Sequence, residues 1–196
     1  MKNTILLVLF ALLCIFLTSC SIHDYSDTYF IHAVGFEKTD DKYKIHAVCE
    51  KLQEKEDDYF VVTKDGDSII EATNKLMNDY RDCYFATAEL YFIQSDSDSD
   101  LINHLAEEIC DSNIYPSKSF ILGTKGNLRY FLTRIKSKDD LKEISKLTEK
   151  KKTNAVKYFS HFMSGKDINL IQLSINNNGK ITVTDTKDER NEKSNK

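Results

Sequence analysis

The chain has 196 residues, 41% of them hydrophobic and 30% charged, with 31 acidic against 27 basic side chains and a formal net charge of −4. That apolar fraction supports a packed core of ordinary size and excludes a chain disordered throughout. The negative balance argues against nucleic acid as a partner.

In chain order, Lys2 precedes an apolar run from Ile5 to Leu17 that ends in Leu17-Thr18-Ser19-Cys20. A positive start, a short apolar stretch and a small residue before the cut are the parts of a secretory signal peptide, and the stretch is shorter than the roughly 20 residues a spanning helix needs. An uncleaved N-terminal anchor is the other reading of the same run. Leu-small-small-Cys resembles the lipobox of bacterial lipoproteins. That resemblance implies cleavage between Ser19 and Cys20, a lipid thioether on the Cys20 sulfur, palmitate-type acylation, and a mature chain held on the outer face of the cytoplasmic membrane. Two acyl chains anchor stably where one binds marginally.

Residues 20–28 read as a polar tether. Tyr29 to Phe36 and Tyr43 to Cys49 read as two strands of a hairpin around the charged turn Glu37 to Lys42. In the second, Tyr43, Ile45, Ala47 and Cys49 alternate with Lys44, His46 and Glu50, the pattern of a half-buried strand. After the charged connection Lys51 to Asp58 comes a third short strand, Tyr59 to Thr63. Ser68 and Glu71 have capping-box spacing, and Ile69, Ala72, Thr73, Leu76, Met77 and Tyr80 form one helical stripe.

Glu89 to Gln94 reads as a strand, Leu101 to Cys110 as a helix through Leu101, Ile102, Leu105 and Ile109, and Ser119 to Leu122 as a further strand. Helices follow near Asn127 to Thr133, Asp139 to Glu149 and Thr153 to Met163, with a linker zone at Leu147 to Lys152. Ile168 to Ile175 and Lys180 to Thr184 flank Asn176-Asn177-Asn178-Gly179, a hairpin turn. The reading is an α/β fold with a mixed β-sheet and packed helices, β-β-β-α-β-α-β, then helices and a short hairpin. Its units are 1–19 signal, 20–28 tether, 29–134 first domain, 135–185 partial second domain and 186–196 disordered tail.

Several stretches in this order resemble the N-terminal domain of the Ger(x)C family, the lipoprotein subunits of bacterial spore germinant receptors. They are Leu17-Thr18-Ser19-Cys20; Val34-Gly35-Phe36 through Asp40-Asp41 to Ile45; Gly66-Asp67-Ser68-Ile69-Ile70-Glu71-Ala72; Tyr84-Phe85-Ala86-Thr87 through Glu89 to Ile93; and Tyr115-Pro116 through Gly123 to Gly126. Thr87 stands where the family has a histidine, and the chain has no tryptophan. The resemblance covers roughly residues 17–132, with a weaker echo at 158–183, and family members are longer, which makes this a shortened form. It implies polytopic membrane subunits of a germinant receptor as partners and a role by protein contact in spore germination. A generic envelope or solute-binding lipoprotein is the alternative.

Site chemistry is sparse. Asp96, Asp98, Asp100 and Glu107 have calcium-loop spacing, but Leu101 stands where that loop needs glycine, so helix capping accounts for the acids. His23, His32, His46, His104 and His161 are scattered, although His32 and His46 would meet across the first hairpin if the register allowed. Glu54, Glu56, Asp57 and Asp58 read as a solvated loop. Cys49, Cys83 and Cys110 are expected as buried free thiols with at most one disulfide among them. No catalytic residue, metal or cofactor is expected. Tyr84, Phe85, Tyr91 and Phe92 form a candidate partner interface if helices cover one sheet face only, and a core if they cover both.

Overall fold

The computed structural model describes residues 28–52, 59–80, 82–94, 97, 99–111, 113–149, 153–166 and 169–184. Strands β1 (Tyr29–Thr39) and β2 (Lys42–Lys51) pair antiparallel to Thr39 opposite Lys42. The expected six-residue turn therefore shrinks to Asp40-Asp41, which closes because Asp40 takes a left-handed φ of 54°, a conformation Asp tolerates better than most residues. β3 (Tyr59–Gly66) adds antiparallel to β2.

Helix α1 (Ile69–Asp79) starts at Ser68, whose hydroxyl accepts from the Glu71 N–H at 3.2 Å. The Glu71 carboxylate turns back to the N–H of Asp67, not of Ser68, so the expected box closes one residue early. Ile69, Ala72, Thr73 and Leu76 are buried as the stripe predicts, but Met77 is exposed. Successive helical residues stand about 100° apart, and Met77 falls just outside the covered arc.

The remaining elements are β4 (Cys83–Tyr84), β5 (Leu90–Gln94), α2 (Ser99–Asp111), β6 (Phe120–Thr124), α3 (Leu128–Leu132), α4 (Lys138–Thr148), β7 (Thr153–Asn154), α5 (Ala155–Met163), β8 (Gln172–Ile175) and β9 (Ile181–Thr184). Among the described residues nine strands form one mixed sheet in the order β3-β2-β1-β5-β6-β8-β9. β4 lies beside β1 and β7 beside β6. β1, β5, β6 and β8 run parallel, flanked by antiparallel hairpins at both ends. The α/β reading with a mixed sheet holds.

Helices cover both faces. On one, α1, α2 and α5 enclose Ile31, Phe36, Ile45, Tyr91 and Phe159; on the other, α3 and α4 enclose Ala33, Val48, Phe92, Phe131 and Ile144. Gly35 permits the approach of α3, and Gly123 lies under the Gln172 side chain. β8 and β9 extend the same sheet, and Leu141, Ile144 and Phe159 belong to the same two cores. Residues 135–184, expected as a fragment of a second domain, thus share the sheet and both cores with 29–134. The final hairpin turns at Gly179, φ 75°, where the Asn176 side chain accepts from the N–H groups of Asn178 and Lys180, each at 3.0 Å.

Candidate functional site

Cys20, the Ser19–Cys20 bond and the tether lie outside the described residues. The described chain enters the fold at Thr28, whose carbonyl accepts from the Leu52 N–H at 2.9 Å, and Tyr29 N–H donates to the Asp82 carbonyl at 3.2 Å. This end of the sheet is aromatic. Tyr29 stands edge-on to Tyr80 at 5.1 Å and to Phe60 at 6.1 Å, and Phe30 lies against Tyr84 at 5.9 Å. Tyr84 is 46% exposed and Leu52 38%.

The four candidate interface rings separate. Phe85, Tyr91 and Phe92 are buried, and only Tyr84 of the four is exposed. Tyr91 and Phe92 point to opposite faces, as neighbours on a strand must, and each face has its own helices. Tyr91 meets Phe36 at 5.8 Å and donates its hydroxyl to the Pro116 carbonyl at 2.8 Å, while Phe92 meets Phe131 at 5.4 Å. Phe85 stands edge-on to Tyr115, 5.1 Å away. Of the four rings Tyr84 alone stays at the surface, with Phe30 against it and Leu52 exposed beyond the end of β2.

His32 and His46 do not meet, because the register sets Gly35 opposite His46 and a bulge displaces His32. His46 is 2% exposed; its Nδ1 is 2.9 Å from the Thr63 hydroxyl and its Nε2 3.4 Å from Glu37. Burial holds its basicity below the ordinary value, against the pull of Glu37.

Asp96 and Asp98 lie outside the described residues, as do His23, Glu54, Glu56, Asp57 and Asp58. Asp100 accepts from Lys38 at 2.5 Å and from the Tyr43 hydroxyl at 2.9 Å, and these two bonds, that of Lys38 first, hold its carboxyl below the usual range. It ties the first hairpin to α2. Among the described residues no group of three His, Cys, Asp or Glu side chains is placed to hold a metal ion.

Cys49 is buried, Cys83 half-buried and Cys110 exposed, so the expectation of three buried thiols fails at Cys110. Burial pushes the Cys49 thiol up and that of Cys83 to about 12. Neither is a nucleophile at neutral pH. Among the described residues no helix is long and apolar enough to cross a membrane.

A family profile described as "Spore germination protein N-terminal domain" matches residues 21–167. No curated protein and no solved structure matches the chain.

Proposed function

The chain belongs to the family of spore germination protein N-terminal domains, and from that membership we propose that it is a lipid-anchored subunit resembling the C component of spore germinant receptors. It acts by protein contact on polytopic membrane subunits at the outer face of the cytoplasmic membrane, which becomes the spore inner membrane. The family match carries this reading. Its extent, to residue 167, takes in α3, α4 and α5, the helices that complete both layers of the sheet.

Two features support the anchored, docking form. Residues 2–20 have the order of a lipoprotein signal, ending in a cysteine whose sulfur accepts lipid. Between Cys20 and Tyr29 the chain reaches at most roughly 30 Å when fully extended, so a lipid on Cys20 keeps the aromatic end of the sheet near the bilayer. There Tyr84 offers an exposed ring with a polar hydroxyl, suited to a contact dry at one end and wet at the other, and Leu52 adds an exposed aliphatic group. Anchoring also raises the local concentration of the domain around membrane partners, so a modest contact suffices.

The test is affinity capture of the full chain from detergent-solubilised spore membranes, with a photo-crosslinking residue at Tyr84. The reading expects multi-spanning proteins in the capture and a crosslink to one of them. Recovery of the chain alone, with no crosslinked product, contradicts it.

A further inference from the structure

The bulge in β1 creates a feature that membrane docking does not use. Ile31 pairs with Cys49 and Ala33 with Val48, so His32 is an extra residue and its neighbours Ile31 and Ala33 fall into opposite cores. Bulges of this kind re-aim a side chain. His32 lies flat on Tyr59, ring centroids 4.6 Å apart and planes 9° from parallel, with Nε2 2.6 Å from the Glu50 carboxylate. Stacking fixes the plane of the imidazole, and Glu50 fixes its rotation.

This pair forms one wall of a cavity of about 350 Å³ between the sheet and α4. Leu141 supplies an apolar surface, Ser145 a hydroxyl and Glu89 a carboxylate. Lys138, Lys142 and Lys146 line it too; a spacing of four puts them on one side of the helix. Lys142 also reaches Asp139 at 2.7 Å. Three lysines thus line the cavity with one carboxylate, Glu89, while Glu50 stands against His32 and Asp139 against Lys142. A larger cavity, about 440 Å³, opens between α3, α4 and the β8–β9 turn, but there two carboxylates, Asp140 and Glu143, stand among Arg134, Lys136 and Lys180, and among the described residues no aromatic stack forms a wall.

A row of lysines on a bare helix is only a solvated face. Here the row borders a concavity of ligand size whose opposite wall is an aromatic stack held in a fixed plane. We propose that the cavity between β1, β3 and α4 binds a small organic anion, with a flat or apolar body against Tyr59 and Leu141 and a carboxylate or phosphate group held by Lys138, Lys142 and Lys146.

The test is a ¹H–¹⁵N NMR titration of the full chain in detergent micelles with benzoate and with phenyl phosphate, which share a ring and differ in the anion. Inorganic phosphate, which has no ring, is the third probe, and ionic strength is matched with chloride. Saturable shifts are expected at His32, Tyr59 and Ser145 with one or both ring-bearing probes, and which of them binds identifies the anion. Exchanging two exposed charges, Lys138→Glu with Lys146→Glu, should weaken that binding by about tenfold or more, while the rest of the spectrum keeps its positions. No saturable shift from either ring-bearing probe up to about 20 mM, beyond the weak end for ligands of this size, overturns the proposal. So do shifts spread evenly over lysines elsewhere, such as Lys125 and Lys166, or binding indifferent to the double exchange.

Discussion

A Cβ on Gly35 would stand 2.6 Å from Leu132 Cδ1 and 3.1 Å from the Leu128 side chain. The bare Cα of β1 is what lets α3 lie directly on the sheet, and Leu128 and Leu132 are both fully buried there. Gly35→Ala should therefore cost about 1–3 kcal/mol through overpacking, read as a fall in thermal or urea midpoint. An unchanged midpoint would mean that α3 does not rest on β1.

The second face of the sheet depends on Phe131 and on residues beyond 134. Phe131 is 1% exposed and packs on Phe92, so Phe131→Ala should lose about 3–5 kcal/mol. Ending the chain at residue 134 removes Ile144, Phe159 and Leu173 from the two cores and strips β8 from β6. The shortened product is expected to bind hydrophobic dyes and to show no cooperative melting. A sharp transition would instead establish 29–134 as a unit that folds by itself.

His46 gives stability a dependence on pH. Burial is the largest influence on it and Glu37 opposes, while Arg129 and Lys44 add to the lowering. An unfolded chain takes up this proton near pH 6.5 and the native chain only at lower pH. The contribution is therefore complete above about pH 6.5 and is lost as pH falls toward the native value. Melting curves of wild type and His46→Gln should diverge above pH 6.5 and draw together on acidification. Parallel profiles would show that His46 titrates as it does in the unfolded chain.

The thiols should react in order of exposure. Cys110 is exposed and Cys49 buried with its thiol pushed up, so Ellman's reagent should give a fast phase that Cys110→Ser abolishes. Cys83, raised to about 12 and half-buried, should react slowly. Cys49 should wait for unfolding. Equal rates for all three would contradict the burial described.

Elements with their own local signal were legible in the sequence. The Ser68 cap and the stripe Ile69, Ala72, Leu76 specify α1 without tertiary context, and Asn176 and Gly179 specify the last turn. What escaped depends on contacts remote in sequence. The Lys- and Glu-rich α4 reads as a separate unit, yet Leu141, Ile144 and Thr148, spaced three and four apart, are the stripe that covers the second sheet face. With that layer missed, Tyr91 and Phe92 could be read as a surface. The extra residue at His32 leaves no pattern at all, because a bulge is defined only by the strand across from it. Cys110 follows the buried Ile109, and one helical step turns it outward.

Lipid anchoring would depend on the sulfur of Cys20. Cells grown on labelled palmitate and fractionated should yield this chain labelled and in the membrane fraction, and Cys20→Ala should remove the label and release the chain. An unlabelled, freely soluble product from both the wild type and the variant would contradict a lipid-anchored subunit.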